Sequence, residues 1–172
     1  MIITEFPNAD FSNGYAVGYL YEEGTALTFD FTSDRATTAT LWLRLTCEFA
    51  NQTLTDEMYK VLVNGTAQKF NPIVMILSPL GFPYANPCQD YLGITIQLNA
   101  GDNRIQLITT NDMMLAGTMS SNAPIVDCIK IRTDAELNMF TIDSVGPTAG
   151  TRREGPKYSN LEHILGPNWW LE

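Results

Sequence analysis

Strict alternation of apolar and polar residues is the feature that most constrains this chain. Ile94, Ile96 and Leu98 alternate with Thr95, Gln97 and Asn99, and Ile105 and Leu107 resume the pattern after Ala100-Gly101-Asp102-Asn103. A period of two marks a strand with one buried face, and the intervening residues favour a tight turn, so the segment is expected to be a hairpin. Ile125 to Ile131 is expected to be a third strand. If Ile129 and Ile131 face the core, the same period puts Asp127 on that side. A carboxylate at the rim of an apolar face needs compensation from backbone amides, an arginine or a bound cation.

The pattern recurs along the chain. Leu27, Phe29 and Phe31 point one way between Thr28, Asp30 and Thr32. Leu41, Leu43, Leu45, Cys47 and Phe49 form one face of the next segment, and Trp42, Arg44, Thr46 and Glu48 the other. Gly14 to Tyr21, Met58 to Val63 and Asn138 to Ile142 read as further strands, with Met75 to Leu77 a short one. Asn64-Gly65 is a strong hairpin signal, because both positions tolerate positive φ. Helical periodicity is absent from every long stretch. The expectation is an all-β fold over residues 1–145, an antiparallel two-sheet β-sandwich or jelly roll of about eight or nine strands. Residues 146–172 read as a linker and tail. Ser159 or Asn160 is expected to cap a one-turn helix over Leu161 to Leu165, and Leu171-Glu172 has the look of a cloning scar.

Composition removes several function classes. The net charge is −9, and the ten basic residues are scattered. Nucleic-acid binding needs clustered Lys and Arg, so that partner is not expected. The longest apolar run, Ile73 to Leu77, is far below the roughly 20 residues of a membrane span. Met1 to Asp10 lacks the basic start and apolar stretch of a signal peptide. His163 is the only histidine, and no G-x-S-x-G occurs, which leaves a Ser-His-Asp hydrolase without support. Three cysteines without a C-x-x-C, Cys47, Cys88 and Cys128, read as buried thiols.

Several pieces in order resemble carbohydrate-binding modules of families 6 and 35. They are N-G-Y-A-V-G-Y-L, then F-D-F, T-L-W-L-R-L, Y-K-V-L-V-N-G, L-N-A-G-D-N-R-I and I-V-D-C-I-K-I, spanning about Asn13 to Leu137. The resemblance implies a noncatalytic module that tethers a larger secreted or cell-surface protein to plant polysaccharide. It would act as a monomer beside other modules of that chain. It also implies a cleft at one end of the sandwich, with Tyr19 and Tyr91 stacking on sugar and Asn122 hydrogen-bonding it. A structural calcium held by Asp127 and an amino-terminal glutamate belongs to the same pattern. Glu5 is the counterpart here, although I-I-T-E-F-P-N-A departs from the usual A-E-x-A.

The residues themselves offer other surfaces. Pyranose rings pack on aromatic faces, with planar polar groups taking the hydroxyls. Phe82 and Tyr84 lie in a long Pro- and Gly-rich loop, the kind that often carries function. Trp42 lies on the polar side of its strand and is either a flat sugar platform or a side chain covered by a neighbouring loop. Tyr19 and Tyr91 also suit rim or core packing, and Asn122 a loop cap. A spacer or adhesion sandwich without a cleft, and a small polysaccharide-active enzyme, are the competing readings.

Overall fold

The computed structural model describes residues 2–4, 11, 16–18, 20, 22–46, 52–75, 88–111 and 123–145. Twelve strands run in chain order. They are β1 (Ile2–Thr4), β2 (Ala16–Gly18), β3 (Ala26–Ser33), β4 (Thr37–Thr46), β5 (Gln52–Leu54), β6 (Tyr59–Val63), β7 (Thr66–Gln68), β8 (Ile73–Met75), β9 (Gln89–Leu98), β10 (Gly101–Thr109), β11 (Ile125–Arg132) and β12 (Leu137–Val145). The count exceeds the expected eight or nine because five of them, β1, β2, β5, β7 and β8, are three-residue pieces. The described residues contain no helix.

Two five-stranded sheets make the sandwich. One has the order β1-β2-β11-β4-β9, the other β12-β3-β10-β6-β7, and every pairing is antiparallel. The small ribbon β5-β8 is separate. The alternation read from the sequence sets the inner faces. Ala39, Leu41, Leu43 and Leu45 of β4 and Val126, Ile129 and Ile131 of β11 are buried from one sheet. Leu27, Phe29 and Phe31 of β3, Val61 and Val63 of β6, and Ile105 and Leu107 of β10 are buried from the other. Each of these side chains except Ala39 contributes roughly 1.5–3 kcal/mol. Leu54, Ile73 and Met75 of the ribbon join this core. Cys88 lies in a small second cluster with Phe11, Ala16 and Ile125, and Cys128 is also buried. Cys47, like the 146–172 tail, falls outside the described residues.

Two expectations are corrected. The first concerns the turn at Ala100-Gly101, which does not close a hairpin. β9 pairs with β4, and β10 pairs with β3 and β6, so the turn arches from one sheet to the other. Ile96 and Leu98 therefore share the core with Ile105 and Leu107 from the other sheet rather than a common ladder. The second concerns Asp127, which does not follow the period of Ile129 and Ile131. The β11–β4 register shifts between Val126 and Cys128, and Asp127 is the extra residue of that bulge. Its carboxylate meets Arg44, which alternates with the inward Leu43 and Leu45.

Candidate functional site

The site grows from an irregularity in β9. Leu41 pairs with Ile94, but the next residue, Trp42, pairs with Leu92, so Gly93 is inserted as a bulge. Leu92 and Gly93 have φ of 82° and 61°. A leucine in the left-handed region is a backbone outlier costing on the order of 1–3 kcal/mol, and such strain gathers at functional sites. A glycine at position 93 is required for a second reason. A Cβ there would lie 3.0 Å from Trp42 Nε1, so the indole packs on bare backbone. Trp42 is half-buried in this arrangement, which makes it less of an open platform than its position in the alternation implies.

The bulged segment Tyr91–Ile94 forms one wall of a groove of about 760 Å³. The chain at residues 69–74 and Asp56 also line it. Tyr91 and Phe70 both line it, and both are half-buried against the core, which fixes their rings. Tyr91 Oη lies 3.4 Å from Gln89 Oε1. Lys69 Nζ pairs with Asp56 Oδ2 at 2.9 Å, and Asn71 adds a carboxamide. The groove thus presents two aromatic rings, a carboxamide and an ion pair along a strained backbone edge. Of these residues, sequence reading identified Tyr91 alone. Phe70, Lys69 and Asp56 carry no periodic or motif signal, and their role follows from where the 69–74 segment is laid.

Beside the groove, the outer face of β4 and β11 holds a chain of charges. Lys130 Nζ donates to Asp90 Oδ2 at 2.6 Å. Arg44 Nη1 is 4.0 Å from Asp90 Oδ1, and Arg44 Nε donates to Asp127 Oδ2 at 2.7 Å. The Asp127 side chain has 0% exposure, so Arg44 supplies the compensation a buried carboxylate requires. No group of three or more His, Cys, Asp or Glu side chains suited to a metal occurs among the described residues.

The other expected site residues, Tyr19, Asn122, Phe82, Tyr84 and Glu5, lie outside the described residues. Tyr91, Trp42 and Asp127 are within them. The bulge brings Trp42 against the backbone that follows Tyr91, while Asp127 sits in the separate charge chain.

No protein-family model matches the sequence, and no curated protein matches it. Solved structures do match. A family 35 carbohydrate-binding module from an environmental isolate is similar with a TM-score of 0.55 and 13% identity, over 80% of this chain and 85% of that one. A family 35 module from Cellvibrio japonicus Abf62 has a TM-score of 0.51 and 16% identity, over 78% and 85%. A third, Xyl-CBM35, described in complex with a glucuronic acid containing disaccharide, has a TM-score of 0.50 and 16% identity, over 78% and 85%. At these identities the likeness establishes the fold.

Proposed function

The fold is the β-sandwich of family 35 carbohydrate-binding modules, and from it we propose that this domain is a noncatalytic module binding polysaccharide or oligosaccharide. One observation carries the reading. Two half-buried aromatic rings, Tyr91 and Phe70, line a single groove whose wall is a strained bulge. Rigid rings cover a pyranose face with little ordering cost, and the adjacent carboxamide and ion pair offer donors and acceptors to hydroxyls. In the proposal the domain acts as a monomer within a larger extracellular or cell-surface protein. There it holds a partner enzyme or assembly on plant polysaccharide and raises its local concentration. Tyr19, Asn122, Phe82 and Tyr84 are candidate extensions of the binding surface, and Trp42 supports the bulge from beneath.

The proposal includes one structural calcium beside Asp127. By itself, a buried carboxylate paired with an arginine does not make a calcium site, since calcium takes six to eight oxygens. Glu5 and the amino-terminal segment must supply the remainder, and a metal assay decides it.

A glycan array on the purified domain tests the function. Binding to one or more plant glycans, without turnover, is the expected result. No binding to any glycan would favour a spacer or adhesion sandwich, and turnover a small polysaccharide-active enzyme.

A further inference from the structure

We infer that the Tyr91 groove selects neutral glycans and rejects polymers of uronic acid. The inference rests on the carbohydrate-binding reading and specifies the ligand class of the same groove. The ionic side chains lining the groove, among the described residues, are Asp56 and Lys69. They are already paired at 2.9 Å, with Lys69 85% and Asp56 19% exposed. The neighbouring Glu57 adds a second negative charge acting on the same ammonium. The hydrogen bond and charge of Asp56 hold Lys69 above the usual lysine range, against an opposing desolvation that exceeds the contribution of Glu57. Asp56 therefore engages the one ammonium at this end of the groove.

A uronate entering here has two options, and neither gains. It can take Lys69 from Asp56, which exchanges one carboxylate–ammonium contact for another and leaves the largely covered Asp56 unpaired. Alternatively it can sit beside the intact pair with no further cation among the described groove residues, and then it meets desolvation and like-charge repulsion. A polymer meets a further barrier, because the chain as a whole carries a net charge of −9. A neutral sugar meets none of these costs. Its hydroxyls donate to Asp56 and accept from Lys69 while the pair stays together, and its ring faces Tyr91 and Phe70.

The test is affinity electrophoresis of the whole domain, at low ionic strength, in gels holding either the best neutral glycan from the array or polygalacturonate. Binding to polygalacturonate should be weaker by about tenfold or more. Asp56→Asn releases Lys69 from its carboxylate and should raise the ratio of acidic to neutral binding by about tenfold, with folding checked by a thermal melt. Equal binding of both polymers by the parent domain overturns the inference, and so does a ratio unmoved in Asp56→Asn. A domain silent on every neutral and acidic glycan refutes the carbohydrate-binding reading itself. Binding that favours polygalacturonate leaves that reading standing and removes only the neutral preference.

Discussion

Asn64 Nδ2 donates to Asn103 Oδ1 at 2.9 Å, and this contact joins the β6–β7 hairpin turn to the β9–β10 arch. Asn103 is 3% exposed and its carboxamide is fully used. Oδ1 also accepts from the Asn99 amide at 2.8 Å, and Nδ2 donates to the carbonyls of Asn99 and Gly101, each at 2.9 Å. Asn64 Oδ1 in turn accepts from the Arg104 amide at 2.8 Å. The clip does the work that ladder hydrogen bonds do in an ordinary hairpin. It satisfies the backbone of a turn that leaves one sheet and enters the other. Asn103→Ala removes four hydrogen bonds at once and is expected to destabilise the domain by about 3 kcal/mol, measured by urea unfolding. A change within experimental error would show that water replaces the clip.

Gly93 and Gly101 make a controlled comparison. Both have positive φ, 61° and 82°, but a Cβ at Gly101 meets nothing within 4 Å, whereas one at Gly93 meets the Trp42 indole at 3.0 Å. Gly101→Ala should cost about 1 kcal/mol from backbone strain alone. Gly93→Ala should cost about 2–3 kcal/mol, because packing strain is added. Equal losses of melting temperature would remove the role assigned to the Trp42 contact.

Tyr59 is fully buried, and its hydroxyl has no hydrogen-bond partner among the described residues. Tyr59→Phe is expected to be neutral or to stabilise by about 1–2 kcal/mol, since an unsatisfied buried group is removed. Burial also pushes the Tyr59 phenol well above its ordinary value of 10.0. Above pH 10 the unfolded chain releases that proton while the folded chain keeps it. Stability therefore falls as pH rises, by up to about 1.4 kcal/mol per pH unit from this group. Tyr59→Phe should flatten that alkaline slope, and an unchanged slope in paired unfolding curves at pH 9 to 11 would contradict the assignment.

Arg44 and Asp127 should behave as a unit. Removing the cation in Arg44→Met takes away the charge paired with a carboxylate that has no solvent exposure and is expected to cost about 3–5 kcal/mol. Adding Asp127→Asn should recover much of that loss. If calcium is bound beside Asp127, elemental analysis finds it and excess chelator lowers the melting temperature. An unchanged melting temperature with no metal found retires the calcium and leaves Arg44 as the compensating charge.

Tyr91→Ala and Phe70→Ala should each weaken glycan binding by about tenfold or more, because each ring covers a sugar face worth roughly 1–2 kcal/mol. Titration calorimetry on correctly folded variants reads this directly. If both bind as the parent does, the groove is not the binding site, and attention moves to Tyr19, Asn122, Phe82 and Tyr84.

The architecture was legible in the chain. The alternation in β3, β4, β9 and β10 set which side chains face inward, because a strand's side chains alternate whatever its partner is. Asn64-Gly65 announced a true hairpin for an equally local reason, the positive φ its turn demands. Partner choice was not local. The same pattern and turn at Leu98 to Gly101 would suit a hairpin, and only the packing of two apolar faces across a core makes it an arch. The bulges at Asp127 and Gly93 share that origin. An extra residue leaves no mark on composition, yet it turns Asp127 toward Arg44 and allows Trp42 to pack on bare backbone. Tyr91 was visible as an aromatic beside a strand, whereas Phe70, Lys69 and Asp56 joined it in one groove only through the tertiary fold. Residue identity determined what each strand buries. Long-range packing decided which strands meet and what the groove between them contains.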